Sequence, residues 1–189
     1  MAEPAEPGLA EKVARLHETL DAAGIAHAFG GALALAYYAE PRVTVDIDVN
    51  VFVEPSHYAE VLAVLEPLGI DRAPSEANIM RDRQGRLWWG RNPVDLFFAY
   101  DPIHDAMRRA ARTVPFGRDG IPILAPEHLL VAKAVFNRAK DWFDIEQMLL
   151  AVPAVDLAEI DRWLEHFLGA EDGRIERLRQ MEADLLDSH

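Results

Sequence analysis

The sequence predicts a mixed α/β (α+β) fold, in which a β-sheet flanked by helices is followed by a helical region. Apolar side chains occupy every second position from Val45 to Val53, which is the period of a strand. Apolar residues recur at helical spacing from Leu9 to Leu20 and again from Pro126 onward. We therefore expect an α/β core over residues 1–125 and a C-terminal helical region packed on that core over residues 126–189.

In the first half of the chain, local signals mark the ends of two helices. Gly24 is the predicted C-cap of the first helix, and Pro41 ends the second. The elements predicted here are a helix at 9–20, a strand at 25–29 that runs into Gly30-Gly31, a helix at 32–39, the strand at 45–53 and a helix that begins after Pro55-Ser56.

In the second half of the chain, the clearest strand is predicted at 93–100, where Asp95 stands between two apolar residues. Asp101-Pro102 opens a predicted helix that ends near Arg112. The other predicted elements are a hairpin joining 77–83 to 86–89 around Gln84-Gly85, a hairpin at 113–124 that turns at 117–120, and helices from Pro126 with breaks near Pro153 and Gly169.

Composition excludes several classes of protein. The chain has no cysteine, which excludes disulfide staples and thiolate metal sites, and it has no apolar run long enough to cross a bilayer. Residues 1–7 lack the features of a signal peptide, so we expect a cytoplasmic protein without a membrane partner. The formal net charge of −13 disfavours a broad basic face for nucleic acid, and we interpret most of the acidic surplus as solvated surface.

Three aspartates form the strongest candidate for a chemical site. Alternation along a strand places the carboxylates of Asp46 and Asp48 on one side, about 7 Å apart. Asp95 joins them if its strand pairs with theirs, at a spacing of about 4.8 Å. Carboxylates gathered in this way repel one another, so either their pKa values rise or a cation joins them. Oxygen ligands favour magnesium or manganese. The plainer interpretation is that Asp46 and Asp48 decorate the wet face of an edge strand.

A Gly-Gly pair stands between the predicted strand at 25–29 and the helix that follows. Glycines at this place allow close approach of the backbone, and a helix N-terminus presents free N–H groups to an anion. Gly-Gly also occurs in ordinary turns, so the pair by itself is weak evidence. The order of features is more specific, since Gly30-Gly31 is followed by a helix, a turn and the strand with Asp46 and Asp48.

This order resembles the nucleotidyltransferase superfamily related to DNA polymerase beta, whose signature is Gly-Gly or Gly-Ser followed by an Asp-hydrophobic-Asp strand. The matching residues are Phe29-Gly30-Gly31 and Asp46-Ile47-Asp48, with a spacing slightly longer than in the commonest members. Arg42-Val43-Thr44 is similar to the Arg-x-Thr of a large bacterial branch. Within that branch the chain resembles AbiEii-type proteins, some of which are toxins of toxin–antitoxin pairs. The resemblance covers about the first hundred residues of the chain.

The same branch carries a second signature, a helical Lys followed by Lys-Asp-x-x-Asp. In this chain Lys133 is followed by Lys140-Asp141 and Asp144. On one continuous helix these residues form a single polar stripe with Asn137, and we expect this stripe to face the carboxylates and meet the triphosphate. The plainer interpretation is an ordinary salt bridge between Lys140 and Asp144 on a solvated helix.

The resemblance implies a metal-dependent nucleotidyltransferase that moves a nucleoside monophosphate from a nucleoside triphosphate to an unidentified acceptor. Asp46, Asp48 and Asp95 are then the catalytic residues and the ligands of Mg²⁺, with Mn²⁺ as an alternative ion. Asp95 is the expected general base or its metal-bound helper. The residues expected to bind the triphosphate are Gly30, Gly31, Arg42, Thr44, Lys133, Lys140, Asp141 and Asp144.

Three other interpretations stay open. The chain is a toxin that acts on RNA or protein and has an antitoxin partner, or an enzyme that modifies a small molecule such as an aminoglycoside-like acceptor, or a catalytically inactive nucleotide-binding scaffold of the same fold. Retention of all three aspartates argues against the scaffold. Neither the acceptor nor the preferred triphosphate follows from the sequence.

Overall fold

The computed structural model describes residues 6–71 and 76–187. The chain divides into two compact units, one made of Met1–Leu33 with Val43–Leu124 and the other of Ala34–Arg42 with Ala125–His189. The first unit contains a β-sheet with its helices, which confirms the predicted mixed α/β class. Across the described ranges, no helix combines the length and the apolar character needed to span a membrane.

The first unit is built on a mixed sheet. Its strands are β1 (His27–Phe29), β2 (Ile47–Val51), β3 (Gln84–Trp89), β4 (Asn92–Phe98), β5 (Arg112–Val114) and β6 (Ile121–Ile123). Within the described residues they form a six-stranded sheet in the order β3-β4-β2-β1-β6-β5. β2 runs parallel to β4 and β1 runs parallel to β6, whereas the other neighbours are antiparallel. β2 is therefore an interior strand, which excludes the edge-strand interpretation of Asp48.

The core of the first unit follows from the alternation along these strands. The core-facing apolar residues of β2 and β4 are at most 1% exposed, and they are Ile47, Val49, Val51, Val94, Leu96 and Phe98. The helices of this unit are α1 (Leu9–Ala22), α3 (Tyr58–Leu65), α4 (Glu76–Asp82) and α5 (Pro102–Ala110). α1 buries Val13, Leu16 and Leu20 at helical spacing. The Asp101 carboxylate caps α5 by accepting a hydrogen bond of 3.0 Å from the Ile103 N–H.

The second unit is helical in its described part. A short helix, α2 (Gly31–Leu35), runs into it from the first unit along the chain. Its other helices are α6 (Pro126–Phe136), α7 (Ala139–Ala151), α8 (Leu157–Leu168) and α9 (Gly173–Asp187). Their facing sides supply the buried apolar residues Leu129, Leu130, Ala134, Trp142, Ile145, Met148, Ile160, Leu164, Ile175 and Leu178.

Two predicted elements are wrong. Residues 77–83 do not form a strand of a hairpin: α4 occupies this segment, and β3 pairs with β4 through a turn at Gly90-Arg91. The physical reason is the alternation of β3, which buries Gly85, Leu87 and Trp89 and leaves the residues between them exposed. The helix predicted to run through Asn137 is also broken, because Asn137 has the left-handed φ of 57° and ends α6.

Candidate active site

Two of the predicted catalytic aspartates face each other across parallel strands. Asp48 of β2 is in register with Asp95 of β4, so their side chains leave the sheet on the same side. The residues before and after each aspartate are buried in the core, and both aspartates are partly exposed. The predicted pairing of the two strands is thereby confirmed.

Asp46 lies one residue before β2, in a segment held by two polar contacts. The Asp46 N–H donates to the Thr44 hydroxyl at 3.2 Å. The Asn92 side-chain amide donates to the Val45 carbonyl at 2.8 Å, which ties this segment to the start of β4. Thr44, predicted as a triphosphate contact, therefore also fixes the backbone next to a predicted metal ligand.

The glycine pair, Gly30-Gly31, contacts Asp48. The Gly30 N–H donates to the Asp48 carbonyl at 2.9 Å. Gly31 has a φ of 54°, and a Cβ at this position would collide with the Asp48 carboxylate. The glycine is required for two independent reasons, since both its backbone conformation and the carboxylate beside it exclude a side chain.

An arginine that the sequence analysis missed is paired with Asp95. Arg86 is the antiparallel partner of Asp95 on β3, and its Nε and Nη2 donate to the two carboxylate oxygens at 2.8 and 2.7 Å. These hydrogen bonds, together with the charges of Asp95, Asp46 and Asp48, raise the pKa of Arg86 above its ordinary value. The alternation of residues 84–89 could have revealed that Arg86 lies on the exposed face of β3. Its pairing with Asp95 follows only when β3 is paired with β4 in the correct register.

The donor chemistry at this face fits a magnesium ion. Asp46, Asp48 and Asp95 supply carboxylate oxygens, which are the ligands that magnesium and manganese prefer. In the described part of the chain, however, no three His, Cys, Asp or Glu side chains are gathered closely enough to hold an ion together. Both oxygens of Asp95 are bonded to Arg86 instead. The three aspartates supply the type of ligand atom that the ion prefers. To coordinate the ion, Asp95 would have to give up one or both of its hydrogen bonds with Arg86.

In the second unit, a buried cluster contains three of the predicted triphosphate contacts. Lys133 Nζ lies 2.6 Å from Asp144 Oδ2, and Arg42 donates from Nε and Nη2 to the same carboxylate at 3.1 Å each. Lys133 and Asp144 are 4% and 2% exposed. Burial alone would raise the pKa of Asp144, but the hydrogen bonds from Arg42 and Lys133 outweigh it and hold the pKa below its ordinary value. These contacts give Lys133 a structural role, and its predicted contact with phosphate stays a prediction.

Two further predicted contacts lie at the start of α7. Asp141 is 1% exposed and accepts hydrogen bonds from the Arg138 N–H at 3.1 Å and from Arg138 Nε at 2.6 Å, so it fixes the first turn of α7. Lys140 is exposed in the same turn, and its part in triphosphate binding stays a prediction. The predicted single stripe is wrong, because Asn137 separates α6 from α7 and turns its side chain to Trp142 Nε1 at 2.6 Å.

Comparison with known proteins identifies the fold. No protein-family model and no curated protein sequence matches the chain. The antibiotic-resistance factor ANT(2'')-Ia matches with a TM-score of 0.54 at 16% identity, over 95% of this chain and 93% of that one. The complex of ANT(2'')-Ia with adenylyl-2''-tobramycin matches with a TM-score of 0.50 at 16% identity, over 95% and 97%. The lincosamide antibiotic adenylyltransferase LnuA with bound lincomycin has a TM-score of 0.51 at 12% identity, over 75% and 96%.

These similarities show that the chain has the nucleotidyltransferase fold, and at such identities they show the fold alone. The superfamily fold that the sequence predicts is confirmed. The resemblance to the AbiEii-type branch stays a prediction.

Proposed function

We propose that the chain is a nucleotidyltransferase that uses Mg²⁺ or Mn²⁺ to move a nucleoside monophosphate from a nucleoside triphosphate to a hydroxyl group of a small acceptor. The observation that carries this proposal is the parallel register of Asp48 and Asp95, with Gly31 against the Asp48 carboxylate. The nucleotidyltransferase fold, which the chain shares with ANT(2'')-Ia, supports the proposal.

Each residue of this face has a distinct part in the proposed reaction. Asp46, Asp48 and Asp95 would hold the ion, which offsets the negative charge of the triphosphate when bound. Gly31 leaves the space in which the Asp48 carboxylate lies. Asp95 accepts the proton of the acceptor hydroxyl while the new oxygen–phosphorus bond forms and the bond to pyrophosphate breaks.

The charge of the chain favours a small acceptor over a long nucleic acid. With 32 acidic and 19 basic side chains, the protein does not supply the many phosphate contacts that hold nucleic acid along a broad face. ANT(2'')-Ia and LnuA, which share the fold, were solved with adenylyl-2''-tobramycin and with lincomycin, and both are small molecules. We extend this class of acceptor to the present chain.

Transfer of label from each triphosphate tests the proposal. The protein is incubated with each α-³²P-labelled nucleoside triphosphate, MgCl₂ and either hydroxyl-bearing small molecules or a cell extract, with EDTA replacing the magnesium in parallel samples. We expect label in a small product only when the divalent ion is present. Label in RNA or protein would favour the toxin with an antitoxin partner, and triphosphate binding without any transfer would favour the inactive scaffold.

The variant Asp48→Asn tests whether Asp48 takes part in nucleotide transfer. The change is nearly isosteric and removes one ligand charge, so we expect transfer to fall by roughly two orders of magnitude or more while the fold is kept. Asp119→Asn is the matched control, since it removes the same charge from an exposed turn of the same unit. Equal turnover by the parent and Asp48→Asn would refute the assignment.

A further inference from the structure

Arg86 and Asp95 form an ion pair whose geometry leaves neither carboxylate oxygen unbonded. Arg86 lies on β3, the edge strand of the sheet, directly across from Asp95. Its planar fork makes two parallel hydrogen bonds, at 2.8 and 2.7 Å, to the two oxygens of Asp95. The Arg86 side chain is 55% exposed and that of Asp95 is 17% exposed, so the arginine has room to move and the aspartate does not.

The charges around this pair explain why it forms. Asp48 stands beside Asp95 at the spacing of neighbouring strands, about 4.8 Å between backbones, and two ionised carboxylates at this distance repel each other. The Arg86 guanidinium interacts electrostatically with Asp46 and Asp48 as well as with Asp95. It therefore supplies within the protein the positive charge that a divalent ion would supply at the same face.

We propose that Arg86 is a positioning residue that holds Asp95 in the metal-free protein and competes with the divalent ion for its carboxylate. This inference rests on the proposed function, because it assumes that Asp95 is a metal ligand. Magnesium or manganese needs at least one Asp95 oxygen, and both are bonded to Arg86. Ion binding must therefore displace the guanidinium or reduce its two hydrogen bonds to one. As a result, the ion binds weakly until the triphosphate adds its own oxygen ligands.

Binding of Mn²⁺ in the absence of nucleotide tests the competition. Free Mn²⁺ is measured by electron paramagnetic resonance during titration of the metal-free protein, for the parent and for Arg86→Gln. We expect Arg86→Gln to bind Mn²⁺ about 10-fold more tightly, because the ion no longer has to displace charge-assisted hydrogen bonds from Asp95. Arg86→Lys keeps the positive charge and loses the planar fork, so its affinity should lie between the two.

Arg81→Gln is the matched control. Arg81 makes the same kind of pair with Asp82, from Nε at 2.7 Å and from Nη2 at 2.8 Å, and it lies on α4 of the same unit. Arg81→Gln removes one positive charge at a place that is not on β2 or β4. We therefore expect it to bind Mn²⁺ with the same affinity as the parent. Equal affinities for the parent and Arg86→Gln would overturn the proposal. An equal gain in Arg81→Gln, or a failure of all variants to bind Mn²⁺, would do so too.

The same variants separate this inference from the proposed function. If the parent transfers nucleotide but Arg86→Gln binds Mn²⁺ no more tightly, the role of Arg86 is wrong and the function stands. If Arg86→Gln binds Mn²⁺ more tightly and no variant transfers nucleotide with any acceptor, the competition stands and the proposed function fails.

Discussion

Asp144 and Asp95 are both held by an arginine fork, yet their surroundings differ. Asp144, in the second unit, is 2% exposed and is bonded to Lys133 as well as to Arg42. Asp95, in the first unit, is 17% exposed and is paired with the half-exposed Arg86. A buried carboxylate cannot exchange its cations for water without a large loss of free energy, whereas a carboxylate beside a mobile, hydrated arginine can. We therefore interpret the Asp144 cluster as structural and propose the Asp95 pair as the one that is open to a ligand.

The largest effect on stability is expected for Asp144→Asn. The change keeps the shape of the side chain but leaves the buried ammonium of Lys133 without its carboxylate. Breaking a buried pair in this way costs about 3–5 kcal/mol of unfolding free energy. Urea denaturation of the parent and the variant measures it. Asp161→Asn is the control, because it makes the same substitution on α8 of the same unit at a carboxylate whose partner, Arg179, is exposed. A loss below about 1 kcal/mol would mean that the Asp144 cluster resembles a surface pair.

A smaller loss is expected for Lys133→Met. Methionine retains much of the apolar stem of lysine, and Arg42, which is 33% exposed, still neutralises Asp144. We expect a loss of about 1–3 kcal/mol, the range for one missing hydrogen-bond partner of a buried charged group. The double variant Lys133→Met/Asp144→Leu should be more stable than Asp144→Asn, because it leaves no buried charge unpaired. Additive losses in the double-mutant cycle of Lys133→Met, Asp144→Leu and the double variant would contradict this coupling.

The contribution of the Asp144 cluster to the unfolding free energy should depend on pH in the acid range. The pKa of Asp144 is lowered in the folded protein, so its ionised form adds stability above the ordinary aspartate pKa of about 3.9. This stability is lost as the pH falls from there through the folded-state pKa, at up to about 1.4 kcal/mol per pH unit. The difference in unfolding free energy between the parent and Asp144→Asn should shrink as the pH falls below about pH 4. A difference that stays constant to pH 3 would assign the stability to packing.

The comparison also shows which parts of the molecule the sequence could predict. Strict alternation from Val45 to Val53 predicts which side of β2 carries Asp48, because burial of one face determines the other. The pairing with Asp95 follows from a second strand of the same kind. Arg86 was missed because its partner is set by a turn at Gly90-Arg91, and the residues before it were assigned to the wrong hairpin.

The second unit was harder to predict for a different reason. Lys133, Asp141 and Asp144 match a helical signature, but burial decides whether such residues meet a ligand or one another, and burial depends on packing between helices. Asn137 ends α6 in a left-handed conformation, a break that a non-glycine residue signals only weakly. The partners of these charged residues depend on a break that the periodicity does not reveal, and their contact with a triphosphate stays a prediction.

The smallest effect on stability is expected for Asp95→Asn, and this variant tests the comparison most directly. Arg86 is half-exposed and keeps its hydration when the carboxylate is lost, so the unfolding free energy should change by less than about 1 kcal/mol. The loss of one negative charge beside Asp48 also relieves repulsion, which opposes the loss of the pair. Transfer should nevertheless fall by roughly two orders of magnitude, since Asp95 is the proposed base and metal ligand. Denaturation and transfer are measured on the same preparation, with Asp144→Asn as the reference. If Asp95→Asn destabilised the protein as strongly as Asp144→Asn does, the Asp95–Arg86 pair would be structural, and its exchange with a metal ion would be excluded.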